Sequence, residues 1–232
     1  MIGTKQSNEL KEEYIVIIGD GEFAEIAYEY FTHDSSYEVV AFAVEKEYMT
    51  KESLFDLPVI PLEEIEKLYP NDKYKVFTAI TFTKLNRVRT RLYNDVKAKG
   101  YKFVSYVSSN AFVWRNAKIG ENTFIFENNV IQYNVNIGNN VVMWSGNHVG
   151  HRASIGDNCF ISSHVVISGY CKVMENCFLG VNSTLVDTIT IAKDTLVGAG
   201  SVIAKDILEE GNIYVGSPGK SINKTVYEKF KI

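Results

Sequence analysis

The chain has 232 residues, of which 46% are hydrophobic and 22% charged, and its formal net charge is −4. This composition excludes a wholly disordered chain, and the acidic balance argues against a general nucleic-acid binder. No apolar run approaches the roughly 20 residues of a membrane span, and the polar segment 1–11 resembles neither a signal peptide nor a transit peptide. Three cysteines without CxxC spacing make no disulfide framework. We expect a cytoplasmic globular protein with no membrane or nucleic-acid partner.

The N-terminal part, residues 1–104, has the pattern of a small α/β domain of βαβ type. Its predicted elements are a strand at 14–18, a helix to about 31, a strand at 38–44, a strand near 75–80 and a helix near 84–99. Apolar strands that alternate with amphipathic helices are typical of a parallel sheet covered by helices.

A glycine-rich turn follows the first predicted strand. Its GxGxxA form lets a backbone approach a phosphate at a helix N-terminus. The candidate ligand-binding residues of this turn are Gly19, Asp20, Gly21, Glu22 and Phe23. Glu45 ends the second strand, about where an acidic residue meets a ribose or a base in such domains. The acidic side chains in the turn argue against a dinucleotide, and tight strand-to-helix packing without a ligand is the alternative.

Residues 105–206 carry an internal repeat of six residues. Seventeen consecutive positions spaced by six, from Val107 to Ile203, are aliphatic or methionine. Neither the period of a helix nor that of a strand gives this pattern. Three positions after each of them, thirteen of seventeen residues are Asn, Gly or Asp, which tolerate left-handed backbone angles. The repeat predicts short strands joined by sharp corners, with three six-residue units in each coil of a parallel β-helix.

A second column of the repeat, four positions after each aliphatic residue, consists mostly of small residues. All three cysteines, Cys159, Cys171 and Cys177, fall in this column. We predict that they are small residues stacked in the core, and not nucleophiles or metal ligands.

The repeat resembles that of the hexapeptide-repeat acyltransferases, whose solenoid is a left-handed parallel β-helix. A small Rossmann-like α/β domain followed by such a solenoid resembles the sugar acetyltransferases of the bacillosamine, perosamine and sialic acid pathways. The tail, 207–232, is similar too, because the segment 213–220 resembles the G-x-P-x-K stretch that ends many of these solenoids. The resemblance implies acetyl-CoA as co-substrate, a nucleotide sugar held in part by the N-terminal domain, and a homotrimer with CoA between adjacent solenoids. Flat aliphatic faces on the solenoid also favour self-association.

Three of the four histidines, His148, His151 and His164, lie in one stretch of the repeat. His151 precedes an I-G-D sequence by four residues, which resembles the histidine motif of the family and implies that His151 is the general base. An imidazole suits removal of a proton from a sugar amine at neutral pH. By the same resemblance Gly169, one coil later, donates its amide N–H to the thioester carbonyl and stabilises the oxyanion.

The resemblance also implies supporting residues for the two substrates. Asn147, His148 and His164 are expected to line the sugar or pantetheine site. Lys220, together with Lys193 or Lys205, is a candidate for binding the CoA phosphates, and a solvated surface lysine is the alternative at each position.

One residue departs from the family pattern. Many members carry an acidic residue directly after the histidine, and this chain has Arg152 there. Either another carboxylate, such as Asp157 or Glu127, orients the imidazole, or the histidine works unassisted. His148 and His164 remain alternatives for the base.

Four functions compete. The leading prediction is an acetyl-CoA-dependent N-acetyltransferase for the amino group of a nucleotide-linked amino-deoxysugar. The first alternative is O-acetylation of a sialic acid-type sugar. A zinc carbonic anhydrase would use three histidines, but the spacings of this chain do not resemble that family's, so no metal is expected. A non-catalytic binding or scaffolding solenoid is the fourth.

Overall fold

The computed structural model describes residues 13–232. The segment 1–11, for which the sequence predicts no targeting signal, lies outside the described residues. Contacts divide the chain into two units: residues up to 80 with 91–106, and residues 81–90 with 107–232. The change of unit at 106/107 is close to the predicted boundary at 104/105, and the tail 207–232 belongs to the solenoid unit. Within residues 13–232 no helix is both long enough and apolar enough to cross a membrane.

The first unit is built on a five-stranded sheet with the strand order β3-β4-β2-β1-β5. Its elements are β1 (Glu13–Ile18), α1 (Glu22–His33), β2 (Tyr37–Val44), β3 (Ser53–Leu54), β4 (Leu57–Pro61), α2 (Ile65–Leu68), β5 (Tyr74–Thr78) and most of α3 (Arg87–Ala98), with 3₁₀ turns at Lys46–Tyr48 and Leu62–Glu64. β1 pairs in parallel with β2 and β5, which confirms the predicted α/β class. The sequence pattern does not indicate β3 and β4, because these strands are short and prolines in β4 weaken the strand signal.

The start of α3 differs from the prediction of a helix near residue 84. Lys84, Leu85 and Asn86 have φ values of 49°, 48° and 66°, and the helix begins at Arg87. Left-handed angles are costly for a leucine. They are stabilised by tertiary contacts within the solenoid unit, to which residues 81–90 belong, because Leu85 is fully buried in a cluster with Leu196. Side-chain packing therefore overrides the local helical preference.

The solenoid consists of seventeen two-residue strands that form three parallel sheets. The sheet that we call the covered sheet contains β6 (Tyr106–Val107), β9 (Phe124–Ile125), β12 (Val142–Met143), β15 (Phe160–Ile161), β18 (Phe178–Leu179) and β21 (Leu196–Val197), extended by β23 (Asn212–Val215) and β24 (Lys220–Thr225). The apolar sheet contains β7 (Phe112–Val113), β10 (Val130–Ile131), β13 (His148–Val149), β16 (Val166–Ile167), β19 (Thr184–Leu185) and β22 (Val202–Ile203). The polar sheet contains β8 (Lys118–Ile119), β11 (Asn136–Ile137), β14 (Ser154–Ile155), β17 (Lys172–Val173) and β20 (Thr190–Ile191), and α4 (Val226–Phe230) ends the chain. The predicted left-handed parallel β-helix is confirmed.

The corners of the coil follow the predicted column of Asn, Gly and Asp. Every sixth residue from Asn122 to Gly200 has a φ between 51° and 79°. Arg152, His164 and Tyr170 adopt the same conformation, although such residues favour it less than Asn or Gly. The chain accepts this backbone cost at three of the four corners between residues 152 and 170.

The aliphatic column forms one buried core along the solenoid axis. The three cysteines are fully buried within it, which confirms their predicted core role. Their thiols donate to backbone carbonyls of the next coil, as Cys171 does to Val186 O at 3.0 Å. Burial raises the pKa of the Cys171 and Cys177 thiols, so these side chains remain protonated.

The outward faces of the three sheets differ in chemistry. The covered sheet is packed by other residues of its own unit, as where Phe82 contacts the rings of Phe160 and Phe178 at 5.1 and 5.0 Å. The polar sheet presents Lys118, Asn136, Ser154, Lys172 and Thr190. The apolar sheet presents Phe112, Val130, His148, Val166, Thr184 and Val202, of which Phe112 is 52% and Val166 37% exposed.

Candidate active site

The three clustered histidines border the apolar sheet but do not converge. His148 lies on the outer face of this sheet, in register between Val130 and Val166. His151 lies at the corner that leads to the polar sheet, and His164 at the corner that leads in from the covered sheet. Within residues 13–232 no group of three His, Cys, Asp or Glu side chains is arranged to hold a metal ion.

The structure brings together the two residues predicted to carry the chemistry. His151 is exposed, and its ring lies directly over the Cα of Gly169 in the next coil. A Cβ atom at position 169 would lie 2.8 Å from Cε1 and 3.1 Å from Nε2 of the imidazole. Glycine at this position therefore provides the space that the imidazole occupies, because any larger residue would push the ring away.

Both backbone amides at this corner are already hydrogen-bonded. The His151 N–H donates to Gln132 Oε1 at 3.0 Å. The Gly169 N–H donates to Asp187 Oδ1 at 2.8 Å. The predicted oxyanion donor is thus held by a carboxylate in the structure. Asp187 and Gln132 are not predicted site residues, although Asp187 follows Gly169 at the same one-coil spacing that links Gly169 to His151.

Neither carboxylate considered as the orienting partner of the histidine contacts its ring. Asp157 Oδ1 accepts the Asn139 N–H at 2.7 Å, and Glu127 Oε1 accepts the Ser145 hydroxyl at 2.6 Å. Among the described residues the imidazole of His151 has no hydrogen-bond partner, and it meets the Tyr170 ring edge to face at 5.2 Å. The geometry favours a histidine that no carboxylate orients.

Asn147 is not placed to line a substrate site. It is 1% exposed, its side chain donates to Trp144 O, and its Oδ1 accepts the Val165 N–H at 2.7 Å. This corrects the predicted substrate contact: position 147 belongs to the inward column of small residues. Both polar ends of the amide serve to close the corner.

The glycine-rich turn has the predicted position at the end of β1. Gly19 has a φ of 116°, and a Cβ there would lie 3.0 Å from Ala79 O, so the close approach to β5 requires glycine. Gly21 caps α1 and has open space around its Cα. Phe23, by contrast, is 4% exposed and packs edge-on against Phe77, so this predicted ligand-binding residue belongs to the core.

Charged groups of both signs lie at the glycine-rich turn. Glu22 and Glu25 lie in the first turn of α1, where their charge offsets the positive helix end. Lys51 Nζ donates to the carbonyl of Asp20 at 2.9 Å. Asp20 Oδ2 is buried and accepts no hydrogen bond from the described residues.

Glu45 is held by Arg91 in a two-point ion pair. The distances are 2.7 Å from Nη1 to Oε1 and 2.9 Å from Nη2 to Oε2. The hydrogen bond from Arg91 lowers the pKa of Glu45. The carboxylate predicted to meet a ribose or a base thus already has a partner, and the exposed guanidinium is the group that this pair presents to solvent.

The three candidate lysines for CoA phosphates are exposed. Lys193 forms an ion pair with Glu210 at 3.1 Å, which raises the pKa of this ammonium group. Lys205 and Lys220 lie on the surface near the end of the solenoid. A shallow groove of about 300 Å³ runs along the polar sheet, lined by residues such as Asn136, Ser154 and Asp157. It includes none of the residues predicted to be catalytic or to bind the sugar nucleotide or CoA.

A protein-family model described as "Bacterial transferase hexapeptide (six repeats)" matches residues 134–169, the span that contains the three histidines and Gly169. Residues 134–169 thus match the hexapeptide repeat that this family model describes. No curated protein matches the sequence.

Solved structures similar to this chain extend over most of its length. PerB from Caulobacter crescentus, in complex with CoA and GDP-perosamine, is 25% identical with a TM-score of 0.78, covering 89% of this chain and 96% of its own. The acetyltransferase domain of PglB from Neisseria gonorrhoeae FA1090 is 22% identical with a TM-score of 0.81, covering 91% and 100%. WeeI from Acinetobacter baumannii AYE is 20% identical with a TM-score of 0.76, and the match covers 91% of this chain and 100% of WeeI. These findings confirm the predicted family resemblance and fold class, and they agree with the predicted acyltransferase class.

Proposed function

We propose that the chain is an acetyl-CoA-dependent N-acetyltransferase that acts on the amino group of a nucleotide-linked amino-deoxysugar. The observation that carries this proposal is the exposed imidazole of His151, which has no hydrogen-bond partner among the described residues and lies over the bare Cα of Gly169. The similarity to PerB, which was solved with CoA and GDP-perosamine, supports the substrate class.

The chemistry assigned to His151 is general-base catalysis. A sugar ammonium must lose a proton before or during its attack on the thioester carbonyl. An imidazole can accept this proton at neutral pH and can return it to the departing CoA thiolate. The free ring nitrogens and the exposed position suit this task, since a base must reach the proton that it removes.

Gly169 contributes space in this mechanism. The predicted oxyanion role requires a free N–H, and this N–H donates to Asp187. Stabilisation of the oxyanion by Gly169 therefore depends on release of the amide by Asp187 when the thioester binds. The bare Cα, which leaves room beside the imidazole, needs no rearrangement.

The α/β unit offers separate support for a nucleotide. The turn at Gly19 and Gly21 brings backbone close to any ligand at the carboxyl edge of the sheet, where nucleotides bind in folds of this class. The buried Oδ2 of Asp20 would accept a hydrogen bond from a hydroxyl or a base N–H. Lys51 supplies a positive charge beside the same turn.

The substrate proposal is tested with a panel of UDP-, dTDP- and GDP-linked amino sugars. With acetyl-CoA and the purified chain, we expect CoA thiol release with one or a few of these acceptors and with none of the matched sugars in which a hydroxyl replaces the amine. Release with a sialic acid-type hydroxyl acceptor and no amino sugar would select O-acetylation instead. No release with any acceptor would favour a non-catalytic solenoid.

We also propose a homotrimer that forms through the apolar sheet. The covered sheet is already packed within its own unit and the polar sheet carries lysines, whereas the apolar sheet exposes Phe112 and Val166. Contiguous exposed apolar surface marks interaction sites. His148 lies on the same face, so this association would bring a second solenoid next to the candidate active site.

Replacement of Val166 by glutamate will dissociate the trimer. The substitution places a charge in an apolar interface, where desolvation costs several kcal/mol. Sedimentation equilibrium should give a trimer of the 26.2 kDa chain for the native protein and a monomer for the variant. The matched variant Asn136→Glu, on the polar sheet, should remain trimeric. A monomeric native protein, or a Val166→Glu trimer, would contradict the proposed interface.

A further inference from the structure

Arg152 follows the candidate base at a corner where arginine is an unusual choice. Its φ of 59° belongs to the column in which most corners have Asn, Gly or Asp. Arginine has no conformational advantage there. This choice indicates that the side chain itself has a role.

Two tyrosine rings, one on the coil before Arg152 and one on the coil after it, contact the guanidinium. Arg152 Cζ lies 5.5 Å from the ring centroid of Tyr133 and 6.0 Å from that of Tyr170. The ring of His151 contacts the same Tyr170 at 5.2 Å with an interplanar angle of 83°. Arg152 and His151 therefore contact the same tyrosine ring, one coil on from their own corner. Stacking on aromatic faces leaves the planar edge of an arginine free to donate.

No carboxylate of the described residues pairs with this arginine. The nearby acids Asp187, Asp157 and Glu127 each accept a hydrogen bond from another group. Arg152 is exposed, and a guanidinium has five N–H donors and no acceptor atom. The result is a guanidinium that contacts Tyr133 and Tyr170 and has no carboxylate partner within residues 13–232.

We propose that Arg152 is a specificity-determining residue that binds a carboxylate carried by one of the two reactants close to the transferred acyl group. The inference rests on the proposed transferase function. A carboxylate matches the planar donor edge of arginine through two parallel hydrogen bonds. The phosphates of CoA lie at the far end of the pantetheine arm, and the nucleotide diphosphate has its proposed site in the α/β unit. A carboxylate near the transfer site belongs either to the acceptor, as in an amino-uronic acid, or to the acyl group of a dicarboxylic acyl-CoA.

The test compares matched reactants that differ only in a carboxylate. One pair is a nucleotide-linked amino sugar and its uronic acid counterpart, and the other pair is acetyl-CoA and succinyl-CoA. We expect kcat/KM to favour the carboxylate member of one pair by about 10- to 100-fold, as hydrogen bonds to charged groups allow. Arg152→Gln should reduce this ratio to within about 3-fold of unity, and Arg152→Lys should retain part of it. The pair that responds identifies the reactant that carries the carboxylate.

The control is Arg115→Gln, which removes another exposed arginine of the solenoid and should leave the ratio as in the native protein. Equal ratios in the native protein and Arg152→Gln would overturn the inference. An equal loss for both members of each pair would also overturn it, since that result indicates phosphate binding or a packing role. A change of sedimentation in Arg152→Gln would assign the residue to an interface instead.

Failure of the proposed function gives a different result. If no combination of reactants releases CoA, the transferase proposal is wrong, and calorimetric binding then decides the role of Arg152. Tighter binding of succinyl-CoA or of the amino-uronic nucleotide than of its neutral counterpart, lost in Arg152→Gln, would support the inference. Equal binding by both proteins would overturn it.

Discussion

Replacement of His151 by asparagine will lower kcat/KM for acetyl transfer by about 100-fold or more, because general-base catalysis contributes about 10²- to 10⁴-fold to such reactions. Asparagine keeps a polar side chain at this exposed position and cannot accept a proton at neutral pH. The affinity for substrates should change much less, since the imidazole acts mainly in the transition state. The measurement is steady-state CoA thiol release with the best acceptor of the nucleotide-sugar panel.

The control for this experiment is His33→Asn, which removes a histidine from the α/β unit. Its Nε2 lies 3.5 Å from Oε2 of Glu29 on the protein surface. We expect this variant to keep a rate within about 2-fold of the native value, as surface changes have small effects. A fully active His151→Asn variant would refute the assigned base. His148→Asn and His164→Asn, assayed in the same way, would then show whether either histidine has that role.

Replacement of Arg89 by methionine will destabilise the protein by about 3–5 kcal/mol, because it leaves buried carbonyls without a donor. Arg89 is fully buried, and its guanidinium donates to the backbone oxygens of Thr81, Asn140, Asn158 and Cys159 at 2.9–3.3 Å. Burial lowers its pKa to about 9, so it is still charged at neutral pH. The free energy of unfolding in urea, at one fixed protein concentration, measures the effect.

Arg91→Met is the matched control on the same helix. Arg91 is exposed and pairs with Glu45 at the surface, so its loss should cost at most about 1 kcal/mol. If Arg89→Met does not yield folded protein, Arg89→Lys replaces it and should cost about 1–3 kcal/mol, since it keeps the charge with fewer donors. Equal stability of the Arg89 and Arg91 variants would show that the buried hydrogen bonds do not contribute as expected.

The solenoid could be predicted from the sequence because each of its contacts repeats. The aliphatic column and the corner column are set by one short period, and the strands pair with the same offset in every coil. The three cysteines were assigned to the core on this basis. The repeat also places Asn147 in the inward column, which agrees with its burial. The prediction that it lines a substrate site is wrong because it followed the nearby histidines and not the column.

Irregular parts of the chain could not be predicted in the same way. The left-handed turn at Lys84–Asn86 depends on burial of Leu85 among residues that are distant in the sequence. The ion pair between Glu45 and Arg91 joins the end of a strand to a helix, and no local pattern indicates it. In both cases a specific long-range contact outweighs the local preference.

By itself, the sequence determined the repeat, the two-part architecture and the position of His151, because these depend on spacing along the chain. The tertiary structure alone decided how the groups around this histidine are oriented and which hydrogen bonds they form. It places the imidazole over Gly169, engages the Gly169 amide with Asp187 and holds Arg152 between two tyrosines. The physical reason is that spacing specifies which residues stack, whereas side-chain direction and hydrogen-bond partners depend on the three-dimensional arrangement of neighbouring coils.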